Sequence, residues 1–249
     1  MYAVRHTEDS YEFIRTCDAV TDITLTDPPY TEHVHRNLCS GSLVGKKSVP
    51  KYELEYPARR APSDWLPDLL RISRRWVGVF CAIEDFGRFQ DTLPENYVRG
   101  GVWYKKNAMG QLTADRPATA YEGIAFLHPT DVKKSWNGKG SYGIWSANGT
   151  RGKKGRHPNE KPLDLCLKLV SLFSDRGEVV FDPFCGSGAI GEACLLLGRS
   201  YVGLDNSEAW VASSNARLSR VAVGSVSDEE ALKLCRMNGG DHERSDSTS

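Results

Sequence analysis

Val179-Val180-Phe181-Asp182-Pro183-Phe184-Cys185-Gly186-Ser187-Gly188 is an apolar run that ends on an acid and then breaks into a glycine turn. It reads as a buried strand, and Ala189 to Leu197 after the turn reads as a helix. A turn of this kind lets a ligand approach the backbone closely and aims helix N-terminal amides at a polar ligand group. Nineteen residues beyond Gly186, Tyr201-Val202-Gly203-Leu204-Asp205 closes a second strand on an acid. That is the place of a ribose-binding carboxylate in a nucleotide-binding β-α-β unit. Gly186-Ser187-Gly188-Ala189-Ile190-Gly191 also matches G-x-G-x-x-G letter by letter, so a nicotinamide dinucleotide competes. The acid Asp182 before the glycines, and only 44 residues after Asp205, favour a mononucleoside-type ligand. The plain structural alternative is that the glycines serve only tight strand-to-helix packing.

Outward from this unit, the spacing predicts a helix over Leu163 to Phe173, with Pro162 at its first position, and another from Ser207 to about Val221. Toward the N-terminus, Ala3-Val4 reads as a strand, Ser10 to Cys17 as a helix capped near Asp9, and Asp22 to Thr26 as a buried strand. Val77 to Cys81, Gly101 to Tyr104 and Tyr121 to Leu127 read as three more strands. Strands alternating with helices predict an α/β fold with a mainly parallel sheet. Two stretches lack regular pattern. Residues 31–76 hold nine Lys/Arg against five acids, and only Trp65 to Arg75 looks helical. Residues 131–156 are Gly-rich, with seven Lys/Arg against one acid and Trp136, Tyr142 and Trp145 interleaved. Residues 228–249 read as an acidic tail, partly disordered, so a single domain over 1–227 is expected.

Thr26-Asp27-Pro28-Pro29-Tyr30 ends the predicted strand at Asp22 to Thr26. Ligands of open α/β sheets bind at the carboxyl ends of strands, so Asp27 and Asp182 are expected on one edge. Two prolines fix φ and remove two backbone donors, leaving carbonyls to accept from a ligand. Asp27 is an acceptor when ionised, and Tyr30 offers a flat face for stacking. An acceptor pair beside an aromatic face suits an exocyclic amine on a flat heterocycle. The competing reading is a Pro-rich strand terminator with a capping Asp.

Composition bounds the rest. Lys+Arg and Asp+Glu both number 32, which speaks against coating nucleic acid by bulk charge but leaves local basic faces open. No apolar run reaches the roughly 18–20 residues of a membrane span, and the first residues lack a signal-peptide core. The seven cysteines (17, 39, 81, 166, 185, 194, 235) show no Cys-x-x-Cys pair, so neither a metal site nor a disulfide framework is expected. Reduced thiols in a cytoplasmic protein are the simple expectation.

Together these residues resemble the amino-methyltransferases that use S-adenosyl-methionine to methylate an exocyclic amine in DNA. Asp27-Pro28-Pro29-Tyr30 looks like that family's catalytic motif, and Phe181 to Gly188 like its cofactor loop. Their order matches the permuted class called beta. His157-Pro158-Asn159-Glu160-Lys161-Pro162-Leu163 is similar to the segment leading into the helix before the cofactor strand. Val102 to Asn107, Arg116-Pro117 and Tyr121-Glu122 look like middle motifs, and Asp9-Ser10 resembles the acid at the cofactor's adenine end. Ala189 departs from the Thr that often follows the last loop glycine.

The resemblance implies a Rossmann-like methyltransferase fold: a mostly parallel seven-stranded sheet, helices on both faces, and a small recognition insertion. It implies S-adenosyl-methionine as cofactor, held by Asp9, Asp182, Pro183, Phe184, Cys185, Gly186, Gly188, Asp205 and Asn206. His157 and Lys161 would face the cofactor's carboxylate end, or else form a helix-cap cluster. Asp27 and the Pro28 carbonyl, with Pro29 and Tyr30, would orient a flipped base for direct in-line transfer, leaving Cys185 without a nucleophilic role. Asp before Pro-Pro-Tyr points to adenine N6, with cytosine N4 as the alternative and a catalytically silent nucleic-acid-binding protein as the more remote one. The partner would be double-stranded DNA, contacted by Lys133, Lys134, Arg151, Lys153, Lys154 and Arg156. Residues 31–76 would close over the flipped base, 131–156 would read the sequence, and a homodimer is possible.

Overall fold

The computed structural model describes residues 1–29, 60–110, 115–150 and 159–235. Among these, eight strands form one sheet: β1 (Tyr2–His6), β2 (Ile23–Thr26), β3 (Val77–Cys81), β4 (Tyr97–Lys105), β5 (Tyr121–Leu127), β6 (Ile144–Ala147), β7 (Val179–Asp182) and β8 (Ser200–Asp205). Their order is β1-β8-β7-β2-β3-β5-β4-β6. Only β5 runs against its neighbours, β3 and β4; the other pairs are parallel. The helices are α1 (Ser10–Thr16), α2 (Leu66–Arg71), α3 (Phe86–Thr92), α4 (Leu163–Phe173), α5 (Ala189–Leu196), α6 (Glu208–Leu218) and α7 (Asp228–Lys233).

Both faces of the sheet are covered, and the strand period sorts side chains between two cores. On β3, Val77, Val79 and Cys81 join Ile14, Leu66 and Phe89 on one face, while Phe80 joins Leu165, Leu169 and Ala193 on the other. All four residues of the central strand β2 are buried, and the hydroxyls among them are paired. Thr24 meets the Ser73 hydroxyl at 2.7 Å, and Thr26 donates to Asp182 Oδ1 at 2.7 Å. Helix α4 buries Leu165 through Phe173, which accounts for its nearly all-apolar sequence. Asp9 caps α1 by accepting from the amides of Tyr11 and Glu12.

Three features differ from the sequence expectation. Among the described residues the sheet has eight strands rather than the seven expected. The extra one is β6, inside the stretch expected to read DNA. It is only four residues long and sits among glycines, so its pattern was too short to recognise. Trp145 within it is core, 2% exposed, and Trp136 packs on Phe173 with ring centroids 5.8 Å apart. Second, Pro162 is the cap before α4, and the helix begins at Leu163. Third, a helix not expected from the sequence follows residue 227, while the stretch beyond about Gly239 that was expected to fray lies outside the described residues. Ser227 caps α7, Asp228 pairs with the buried Arg199 at 2.7 Å, and the Cys235 carbonyl accepts from Ser146 N–H on edge strand β6 at 2.9 Å. Acidic residues in a first helical turn favour that helix, which explains why an acidic run here is ordered.

Candidate active site

The chain leaves β7 through α5 toward β8, and it leaves β2 in the opposite direction, toward β3. The neighbouring strands β7 and β2 therefore flank the point where strand order reverses, and a crevice opens there outside the carboxyl ends. The two acids of the sequence motifs end these two parallel strands. Thr26, one residue before Asp27, holds Asp182 by the 2.7 Å hydrogen bond, so the two turns share one rim.

On the β7 side the turn is tightly folded. Gly186 and Gly188 have φ of 48° and 78°, left-handed values that favour glycine. Gly186 N–H donates to Asp205 Oδ2 at 2.8 Å, and Ser207 N–H donates to Asp205 Oδ1 at 2.9 Å. Asp205 thus ties the ends of β8 and β7 together. A Cβ on Gly188 would lie 2.2 Å from Ser214 Oγ on α6. The packing role of that glycine is therefore real, and it coexists with the turn. Asp182 is 1% exposed and accepts from Thr26, from Phe184 N–H at 3.3 Å and from the Tyr201 hydroxyl at 3.1 Å. Burial pushes its carboxyl up to about 7, helped by the nearby charge of Asp27 and opposed by those three donors. Phe184 packs on Tyr11 at 4.9 Å, which brings the N-terminus of α1 and Asp9 beside the turn. Asp9 also pairs with Arg60. Asn206 offers its carbonyl to His6 Nε2 at 3.1 Å. Burial raises the Cys185 thiol well above its ordinary range, so it stays protonated.

On the β2 side, Lys161 Nζ donates to Asp27 Oδ2 at 2.5 Å and lies 3.2 Å from Glu122 Oε2. Glu122 also takes Lys105 Nζ at 2.5 Å. The residue before Lys161 reaches the other half: Glu160 Oε2 accepts from Ser187 Oγ at 2.8 Å. The sequence left Lys161 either facing the cofactor's carboxylate end or in a helix-cap cluster; its ammonium meets Asp27 and Glu122. Glu122 stands in the sequence only as part of a middle motif, and its place at the site follows from the antiparallel run of β5. That direction brings its first residues to the rim where the parallel strands end.

The same reversal moves other residues away. The chain leaves β5 at the far edge, where His128 N–H bonds the Asn96 carbonyl before β4 and the Ser135 carbonyl accepts from Trp76 before β3. Lys133 and Lys134 lie in this connection, at the edge opposite Asp27 and Asp182. The rim instead carries exposed Tyr104 and Lys106 at the end of β4 and exposed Tyr121 at the start of β5. Tyr30, Arg151, Lys153, Lys154, Arg156 and His157 lie outside the described residues. Among the described residues, no group of acids, histidines and cysteines could hold a metal ion, and no helix is long and apolar enough to cross a membrane.

A family model described as DNA methylase matches residues 91–216, about half of the chain. The chain belongs to the DNA methylase family. Among curated relatives of this chain, the Type II methyltransferase M.HinfI of Haemophilus influenzae is 26% identical over 193 residues, covering 68% of this chain and 54% of the relative. The chain spans about half the length, or less, of the curated relatives it matches. Among solved structures, the M1.HpyAVI–SAM complex superposes with a TM-score of 0.68 at 21% identity, covering 88% of this chain and 99% of that one. The PvuII DNA methyltransferase (cytosine-N4-specific) superposes with a TM-score of 0.62 at 14% identity, covering 92% and 89%. Both share this α/β fold.

Proposed function

We propose that this methylase transfers a methyl group from S-adenosyl-methionine to the exocyclic N6 amine of adenine in double-stranded DNA. The single observation that carries the reading is the meeting of the Asp27 turn and the Asp182–Gly188 turn on neighbouring strand ends at the reversal of strand order. Family membership and the likeness to the M1.HpyAVI–SAM complex support the cofactor. The residues present fit it: a glycine turn, a buried carboxylate in Asp182, and Asp205 at the next strand end.

Bound S-adenosyl-methionine supplies a methyl already activated on a sulfonium. The difficulty is the acceptor, because the lone pair of an aromatic amine is delocalised into its ring. Asp27 and the Pro28 carbonyl accept the two amine hydrogens, which favours a tetrahedral nitrogen with its lone pair exposed for direct transfer. Their contribution is positioning and electrostatics. The base is flipped from the duplex at a cost of a few kcal/mol, and aromatic stacking by Tyr30 offsets part of it. Lys106, Tyr104 and Tyr121 on the rim are candidate DNA contacts, since exposed cations and aromatic faces suit phosphates and bases.

Incubating the full chain with DNA and cofactor, then weighing the nucleosides after digestion, tests the reading. N6-methyladenine is expected. N4-methylcytosine would move the target to cytosine, the reading that the PvuII likeness keeps open. No methylated base in any DNA tested refutes the function. Asp27→Ala is expected to abolish product while changing cofactor affinity less than about threefold.

A further inference from the structure

Lys161 is a buried cation that the proposed mechanism leaves unused. It is 5% exposed, its Nζ sits 4.9 Å from the Phe80 ring centre, and it bridges Asp27 and Glu122. With Lys105 beyond Glu122, the rim carries an unbroken alternation: Lys105, Glu122, Lys161, Asp27. Burying an ammonium is costly, and such a group persists where geometry and partners are good. Burial acts to strip the proton from Lys161, but the charges of Asp27 and Glu122 outweigh it and keep the ammonium charged. Among the described residues, the titratable groups around Asp27 include Lys161 ahead of α4 with Glu122 of β5 on its far side, the Cys81 thiol on β3 and Asp182 on β7. Lys161 is the only cation among these four described groups.

We propose that Lys161 is a positioning residue for the amine acceptor: it pins Oδ2 of Asp27 and keeps that carboxylate an ionised hydrogen-bond acceptor, while Glu122 aims Lys161. This rests on the methyl-transfer reading for its role in catalysis, but not for its electrostatics. A carboxylate has room for about four hydrogen bonds, so engaging Lys161 leaves it able to receive an amine hydrogen. Lys161 and Glu122 act on Asp27 with opposite sign. Removing the cation makes the carboxyl easier to protonate, and removing the Glu122 charge makes it harder. That inversion follows from charge alone, so the positioning role is read from the kcat profile and its rescue by Lys161→Arg.

The test is a carbon-13 titration of the Asp27 carboxyl in the full chain, with Asp27→Asn used to assign the signal. Against wild type, Lys161→Met is expected to raise the titration midpoint by about one pH unit or more, Glu122→Gln to lower it, and Lys161→Arg to leave it near wild type, a tenfold change in proton affinity being one unit. In the methylation assay, Lys161→Met is expected to lower kcat at pH 7 at least about tenfold, to move the acid limb of the kcat profile upward, and to change cofactor affinity less than about threefold. Lys161→Arg restores most of the loss. An unmoved midpoint in Lys161→Met, or Glu122→Gln moving it the same way, overturns the proposal. Should Lys161→Met fail to fold, Glu122→Gln and Lys161→Arg decide it. A wild-type chain that methylates nothing refutes the function, and the carboxyl titration still decides the assignment of Lys161.

Discussion

Gly188→Ala separates the two roles of the cofactor-side turn. Gly188 has a φ of 78°, and a left-handed alanine costs about 1–2 kcal/mol. The added methyl would lie 2.2 Å from Ser214 Oγ and 3.1 Å from Ser214 Cβ, so α6 must shift or the serine rotate. Overpacking of that kind costs about 1–3 kcal/mol. Together the loss is about 2–5 kcal/mol, a fall in Tm of roughly 5–15 °C for a chain of this size. Ser214 is the internal control. Its hydroxyl is fully buried with no hydrogen-bond partner among the described residues, so Ser214→Ala alone is expected to be neutral or stabilising by up to about 1 kcal/mol. In the double variant the 2.2 Å contact is gone and only backbone strain and the tighter Cβ contact remain. The cycle should therefore show a coupling of about 1–2 kcal/mol by urea unfolding. Because the methyl faces α6, cofactor affinity measured by calorimetry should return in the double variant to within about threefold of wild type. Additivity within about 0.5 kcal/mol, or a single variant as stable as wild type, refutes the packing argument.

Two further outcomes follow from the core. The Asp182 carboxyl is raised from 3.8 to about 7, so between those values the native state holds a proton that the unfolded chain has shed. The associated stability is full below about pH 4 and lost as pH rises through about 7, a swing of order 4 kcal/mol at about 1.4 kcal/mol per tenfold change in affinity. Asp182→Asn should abolish that decline in urea titrations run at pH 5.5 and pH 8; an equal decline in the variant sinks the assignment. Leu169 on α4 is fully buried, and Leu169→Ala should cost about 2–5 kcal/mol in the same unfolding experiment, with under 1 kcal/mol counting against the α4 core.

What was legible in the sequence was what local pattern controls. The strand ends at Asp27 and Asp182, the span of β5 and the run of α4 were all readable, because each joins an unbroken apolar run to a hard stop. What escaped depends on the third dimension. Strand β6 is four residues long among glycines, and Trp145, interleaved with basic residues in the sequence, lies in the core beside Trp103 where β6 pairs with β4. The far placement of Lys133 and Lys134 and the rim placement of Glu122 have one cause, the antiparallel run of β5. Single-strand patterning carries period but not direction, so it could not tell which end of β5 reached the crevice.

The partner of Lys161 was not legible for a different reason, and that reason ties the site together. Proline at 162 keeps Lys161 away from helical backbone and toward an extended conformation. In extended chain, successive side chains point to opposite sides. Glu160 and Lys161 accordingly part company. Glu160 takes the Ser187 hydroxyl of the glycine turn at 2.8 Å, and Lys161 takes Asp27 at 2.5 Å. Two consecutive residues thus grip the two turns, which end strands lying about 4.8 Å apart. The chain order of the two motifs is immaterial to this geometry. A sheet that reverses its strand order between β7 and β2 opens its crevice there whichever strand comes first, and a two-residue clasp just before α4 needs only to reach both ends. In the proposed reaction, the acceptor half and the donor half are held in register by backbone that belongs to neither motif. Misplacing that backbone by the width of one residue would exchange the carboxylate of Glu160 for the ammonium of Lys161 at Asp27, setting two acids face to face.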